Sequence, residues 1–254
     1  WDVSVSVSVS AVDDMVAEEA KLWRVHVLSV SGDAFYDELR GPNVSVLVVD
    51  NDVAGVLSGV SQWNDSVGVS EGMGPVWYGV SLSSKPTSDV TVNVAVMSVS
   101  SSDVWVSESP LSPSLLLSLV FKPLDWDVDR RVYVWAVNDS ETEALYEMHW
   151  LQSWVESNDV MYASLELPMV QVVVSDDDEA AVLVSPQQLV VSEGGVSESF
   201  SVRLSSSPTM VVRVMSLFDT SEIVVDPLVV EFNASNWDVS VSVSVSAVDD
   251  MVAE

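Results

Sequence analysis

The chain has 254 residues, room for about two domains at roughly 100–150 residues each, and 48% of them are apolar. Its 39 acidic residues against 9 basic ones leave a formal charge of −30, which repels phosphate backbones and anionic lipid and so argues against nucleic acid and acidic membrane surfaces as partners. Without cysteine there is no disulfide, zinc-thiolate or thiol-nucleophile chemistry, and the longest apolar stretch, around residues 115–121, is far short of the roughly 20 residues that span a bilayer.

Val fills 57 positions and Ser 44, much of it in strict alternation, the period of half-buried strands rather than helices. In chain order, residues 1–18 read WDVSVSVSVSAVDDMVAE: a Trp-Asp start, an alternating run that predicts a strand, and an acidic end. Ser31, Asp33 and Tyr36 then precede Val48-Val49-Asp50-Asn51-Asp52, the close of a domain. Val69-Ser70-Glu71-Gly72 opens the next, with Leu82-Ser83-Ser84-Lys85-Pro86-Thr87 behind it. Between Ala95 and Phe121 lie about 11 residues more than in the sister copy downstream, and the Ser109-Pro110-Leu111-Ser112-Pro113 interruption predicts a long loop there. The Trp-Asp strand returns at Trp126 as WDVDRRVYVWAVND. Ser157, Asp159, Tyr162 and Val173-Val174-Ser175-Asp176-Asp177-Asp178 repeat the closing pattern. Val191-Ser192-Glu193-Gly194 and the Leu204 to Thr209 stretch open another copy, and residues 237–254 repeat residues 1–18 letter for letter. Such self-similarity marks a repeat architecture.

The expected organisation is therefore the back half of one β-sandwich repeat in residues 1–54, a complete repeat in 55–180, and the front half of a third in 181–254, to be completed by residues equivalent to 1–54 of the next unit. Trp1 is no initiator, and neither end reads as a natural terminus. Short Val-rich segments about 8–15 residues apart, punctuated by Ser-Glu-Gly-Gly, Ser-Ser-Pro-Thr and Val-Asp-Pro turns, predict antiparallel β-sandwiches.

The succession of V-S-E-G-G, L-S-S-x-P-T, F-N-A-S-N-W-D, A-V-D-D-x-x-x-E and V-x-V-x-D-N-D resembles the tandem Calx-beta-type repeats of large extracellular surface and adhesion proteins, over essentially the whole chain. The resemblance implies an all-β fold of tandem immunoglobulin-like (Calx-beta-like) sandwiches, an extracellular or cell-surface setting, and calcium held by acidic loops at one end of the sandwich in some members. In the complete repeat it brings together Glu71, Asp139, Glu143, Asp176, Asp177 and Asp178. In the split repeat it implies Glu193, Asp249, Asp250 and Glu254, completed by Asp50 and Asp52 of a neighbouring unit.

Read on their own, Asp13, Asp14 and Glu18, the group from Asp139 to Glu143, the run from Asp176 to Glu179, and Asp249, Asp250 and Glu254 are clusters of like charge. They repel unless solvated, protonated or neutralised by a cation, so each is either a set of calcium ligands or a solvated acidic turn. Asn43, Asn64, Asn138 and Asn233 head N-x-Ser sequons, acceptors for N-linked glycan on an exposed loop of a secreted chain, and the outward Ser of the alternating strands are candidates for O-linked glycan. His26 and His149 fall in no metal-binding or nucleophile spacing and read as packed or surface residues. No nucleophile elbow, P-loop or His-Glu-x-x-His occurs, so no enzyme is expected. Trp1, Trp126 and Trp237 recur at one position, which fits packing at a strand entrance. The function expected is structural: an extracellular fibre or array that self-associates, with an adhesin stalk or a calcium-binding module as alternatives.

Overall fold

The computed structural model describes residues 3–59, 66–97 and 103–249. Its regular structure is almost entirely strand. The first two, β1 (Lys21–Val25) and β2 (Val44–Val48), form an antiparallel pair on their own. A two-layer sandwich follows, built from β3 (Val56–Ser58), β4 (Val67–Ser70), β5 (Val76–Leu82), β6 (Val90–Met97), β7 (Val104–Ser107), β8 (Leu116–Phe121), β9 (Arg130–Ala136), β10 (Glu147–Ser157), the one-turn helix α1 (Val160–Ala163) and β11 (Val170–Ser175). One layer has the order β3-β5-β9-β7 and the other β4-β11-β10-β6-β8, all antiparallel except for the parallel β4–β11 contact. The last third holds β12 (Val182–Ser185), β13 (Glu198–Leu204), β14 (Val212–Met215), β15 (Ile223–Asp226), β16 (Val229–Phe232) and β17 (Val241–Ala247), as a β12-β13-β17-β15 sheet and a separate β14-β16 pair.

The alternation seen in the sequence becomes the core. In β8, Leu117, Leu119 and Phe121 point inward while Leu116, Ser118 and Val120 stay exposed, as a period of two requires. These residues meet Val90, Val92 and Val94 of β6, Val132 and Val134 of β9, and Val172 and Val174 of β11 in one buried cluster. A smaller cluster joins Val202, Leu204, Val225, Val230, Phe232, Val243 and Val245. Trp126 and Trp237 pack against the first and second cluster respectively. Their carbonyls accept from Leu82 N and Leu204 N at 3.1 and 2.8 Å, so both sit at a strand entrance; Trp1 lies outside the described residues.

Three registers repeat. The pairs Val90–Phe121 and Val212–Phe232 match between β6·β8 and β14·β16. Tyr78–Val132 and Phe200–Val243 match between β5·β9 and β13·β17. Glu147–Val174 and Lys21–Val48 match between β10·β11 and β1·β2. The last set of strands is nevertheless open: β6 is paired on both edges, whereas among the described residues β14 pairs only with β16.

Two sequence expectations change here. Residues 3–11 carry the letters of β17 but form no strand and are exposed throughout: β17 is held between β13 and β15, whereas residues 3–11 have no ladder to join, and an unpaired strand does not persist in water. The long loop expected between Ala95 and Phe121 instead contains β7 and β8, with Val106 and Ser114 exchanging two backbone hydrogen bonds of 2.8 Å across the proline-rich turn. Pro110 and Pro113 sit in that turn outside the ladder, where their missing N–H costs nothing.

Candidate metal centre

The parallel β4–β11 contact sets the geometry of one end of the complete sandwich. Pairing Ser70 with Ser175 puts the turn after β4 beside the acidic run after β11, and two bonds hold it there: Glu71 N to Ser175 O at 3.0 Å and Ser175 Oγ to Ser70 Oγ at 2.6 Å. The turn closes on Gly72 at φ +65°, a left-handed conformation natural to glycine. A Cβ there would meet Asp177 Oδ2 at 2.5 Å and Asn138 Oδ1 at 3.2 Å, so the glycine also makes room for the acidic group.

Glu71, Asp176, Asp177 and Asp178 converge, one carboxylate oxygen of each lying within 4.8 Å of the others. Glu71 is only 3% exposed. Burial pushes its carboxyl up from the ordinary value, the Asp139 N–H draws it back, and the charges of Asp139, Asp176 and Asp177 push it up again. Asp178 is raised by burial and then by Asp176, Asp177 and Asp139. Among the described residues no lysine, arginine or histidine forms an ion pair with any of the four.

Asp139 and Glu143 border this quartet and contribute their backbone. Asp139 N points at Glu71 Oε2, 3.4 Å away, while its carboxylate accepts from Glu141 N at 2.7 Å. Glu143 N donates to Asp176 Oδ2 at 2.7 Å, and Asp176 Oδ1 accepts from Asp178 N at 2.8 Å. The Glu143 carboxyl is pushed up to about 7, first by burial and then by Glu147, Asp103, Asp139 and Glu71.

Those neighbours lead to a group that the sequence reading passed over. Asp103, Glu147 and His149 also bring ligand atoms within 4.8 Å of one another, with His149 Nε2 3.6 Å from Glu147 Oε2 and 3.8 Å from Asp103 Oδ2. Glu147 and His149 are two apart on β10 and so share a face, which the sequence does show; Asp103 arrives from another layer, which it does not.

The first acidic group is half of the same design. Glu18 N donates to Asp50 Oδ2 at 2.6 Å, Asp52 N to Asp50 Oδ1 at 3.3 Å and Val16 N to Asp14 Oδ1 at 2.8 Å, the counterparts of the bonds around Asp176 and Asp139. The Glu18 amide holds the Asp50 carboxyl below its ordinary value, while Asp52 is raised by burial and then by Asp50, Asp13 and Asp14. Glu18 itself pairs with Lys21 at 2.6 Å. Asp13, Asp14, Glu18, Asp50 and Asp52 form no converging group of the kind found at Glu71. In the last third of the chain Glu193 and Asp249 are exposed, Gly194 repeats the left-handed turn at φ +63° with nothing within 4 Å of where a Cβ would stand, and Asp250 and Glu254 lie outside the described residues.

Of the sequons, Asn43, Asn138 and Asn233 are exposed and Asn64 lies outside the described residues. Asn43 Oδ1 is 2.9 Å from His26 Nδ1, and Asn233 Oδ1 accepts from Ser235 N and Oγ at 2.9 and 2.6 Å. Among the described residues no helix is long and apolar enough to cross a membrane.

The class these features define is an all-β sandwich protein with a carboxylate-rich end. Comparison with family models returned no match, and comparison with curated proteins returned none. Among solved structures the chain is similar to the calcium-binding domain CBD12 of CALX1.1, at 14% identity over 72% of this chain and 75% of that one, with a TM-score of 0.33. It is also similar to a two-domain protein of unknown function from Bacteroides fragilis NCTC 9343, at 9% identity over 76% and 85%, with a TM-score of 0.34. Scores this low leave any calcium reading to stand on the residues themselves.

Proposed function

We propose that this chain is a structural unit of an extracellular fibre or surface array, in which tandem Calx-beta-like sandwiches stack end to end and calcium braces the joints. One observation carries the reading: the same joint is built twice. Met15 O accepts from Lys85 N at 2.7 Å, and Ser140 O accepts from Ser207 N at 2.6 Å. Met15 and Ser140 are equivalent in their Trp-Asp repeats, as are Lys85 and Ser207 in theirs. At the second joint Thr142 Oγ1 also donates to Ser206 Oγ at 2.8 Å. A joint that recurs with one hydrogen-bond set lets a stack propagate unit by unit.

Calcium fits the carboxylate end. Four carboxylates supply up to eight oxygens for an ion that takes six to eight, and the buried Glu71 charge needs a counter-ion that the described side chains do not provide. Glu71, Asp176, Asp177 and Asp178 would hold the ion, with the Asp139 and Glu143 amides fixing the loops around it. N-glycan at the exposed sequons and O-glycan on outward Ser would cover the sheets and blunt edge-to-edge pairing. Calorimetric titration of the full chain with calcium, together with solution scattering, tests the proposal. It expects saturable binding and a longer, stiffer particle on binding. Absence of binding at millimolar calcium would remove the brace, and sandwiches tumbling independently in calcium would remove the stack.

A further inference from the structure

We infer that Asp103, Glu147 and His149 form a binding site for a divalent transition-metal ion of the zinc class, separate from the carboxylate quartet and independent of whether that quartet takes calcium.

The site is set by β10. Leu151, which is 0% exposed, His149 and Glu147 alternate along it and so lie on one face, the side toward the core. Trp150 is the last residue of this stretch to pair with β6, at Met97. Beyond it, among the described residues, the strand keeps its β11 neighbour, with His149 opposite Val172 and Glu147 opposite Val174. The core-side row therefore runs from leucine to imidazole to carboxylate at the end of the sandwich. Asp103 enters just before β7, in the opposite layer, with its backbone carbonyl accepting from Val137 N at 2.8 Å.

Three features of the group call for an ion. His149 Nε2 is buried and has no hydrogen-bond partner, a state that costs free energy while nothing fills it. That nitrogen lies 3.6 Å from Glu147 Oε2 and 3.8 Å from Asp103 Oδ2. Both distances are too long for a hydrogen bond, yet they are close to the roughly 3.3–3.6 Å between two ligands that each sit about 2.0–2.2 Å from a tetrahedral centre. The third feature is a missing cation. The matching registers of β10·β11 and β1·β2 make Lys21 the counterpart of Glu147 and Trp23 that of His149, and Lys21 Nζ pairs with Glu18 at 2.6 Å. Glu143, the counterpart of Glu18 in its Trp-Asp repeat, has its carboxyl pushed up by burial and then by Glu147 and Asp103. Among the described residues no lysine or arginine is ion-paired with Glu147. Since the same strand forms with Lys21 and Trp23, the fold does not require a glutamate and a histidine there.

The donor set selects the ion. One neutral imidazole and two carboxylates carry two negative charges, which a divalent ion neutralises. Imidazole suits zinc, copper and nickel, whereas calcium takes oxygen donors. Three protein ligands leave the fourth position of a tetrahedral ion to water or to a group from another molecule. An ion held between Asp103 and β10 ties the two layers together and so stabilises the folded chain.

The test titrates the full chain calorimetrically with zinc chloride in millimolar calcium, and follows the proton resonances of its two histidines, His26 and His149. The inference expects one zinc per chain, a raised melting temperature and movement of the His149 resonance alone. His149→Gln and Glu147→Gln should each weaken zinc binding at least about tenfold and leave calcium binding as in the parent chain, while His26→Gln should change neither. Glu71→Gln should weaken calcium binding and not zinc binding, so this site and the calcium reading can fail separately. Zinc that leaves the His149 resonance unmoved, or that binds both His149→Gln and Glu147→Gln with parent affinity, would overturn the site. No saturable zinc binding by the folded parent chain would overturn it as well. Zinc lost as calcium is raised would also do so, by making the three residues part of the calcium site.

Discussion

Tyr162 and Tyr36 end the same Ser-x-Asp-x-x-Tyr motif after equivalent strands, yet Tyr162 is 0% exposed and Tyr36 is 63% exposed. Tyr162 Oη donates to Ser84 O at 2.5 Å and accepts from Ser84 N at 3.2 Å, tying β10 and its turn to the opposite layer. Asp159 adds a second tie, accepting from Thr87 N and Oγ1 at 2.6 and 2.8 Å. The counterparts of Ser84 and Thr87 are Ser206 and Thr209, in the last set of strands. Tyr162→Phe should therefore cost about 1–3 kcal/mol of folding stability in denaturant titrations by leaving buried Ser84 groups unpaired. Tyr36→Phe should leave stability within about 0.5 kcal/mol in the same titrations.

The glycine turns offer a matched pair of substitutions. Both Gly72 and Gly194 have positive φ, so alanine at either costs roughly 1–2 kcal/mol of backbone strain. Only at Gly72 would the new Cβ strike a carboxylate of the acidic quartet. Gly72→Ala is expected to lower the melting temperature more than Gly194→Ala and to weaken calcium binding by at least about tenfold. Equal effects from the two would mean that the acidic loop is free to move away.

Acid should stabilise the calcium-free chain. Glu143 is raised from 4.5 to about 7, and Glu71 and Asp178 are raised as well. A carboxyl whose folded value lies above its unfolded one binds more protons in the folded state, so stability increases as pH falls from about 7 toward 4.5. In chelator the melting temperature should rise across that window. Saturating calcium should flatten or reverse the slope, because protons then compete with the ion. Thermal melts at fixed ionic strength check both slopes.

Glu71→Gln separates the two roles of the buried carboxylate. Without calcium it removes a buried charge facing three aspartates and should raise stability. With calcium it removes a ligand, so the stabilisation that calcium gives should shrink. Melts in chelator and in calcium, compared with those of the parent chain, decide between these signs.

The extent to which the fold could be read in advance follows from what alternation encodes. A period of two marks which residues are able to face a core, and it located β9 and β17, whereas β8 fell in a stretch that read as a long loop. It carries no information on whether a ladder partner exists, and so the same letters are a strand at 241–247 and irregular at 3–11. The turns that carry Glu71 and Asp176 to Asp178 show in the sequence as two short motifs, but that they meet was implied only by the family resemblance, which grouped them with Asp139 and Glu143. Asp103 was not legible, because its approach to Glu147 and His149 depends on how β7 and β10 lie across the two layers. Asp139 and Glu143, expected beside the quartet, reach it through their backbone amides, at Glu71 and Asp176 respectively.

Electron microscopy of the full chain in millimolar calcium and in chelator tests the central claim of a calcium-braced array most directly. The account predicts filaments with a constant axial repeat of one chain in calcium, and shorter or more flexible ones in chelator. Discrete single chains under both conditions, at concentrations far above those used for binding measurements, would contradict it.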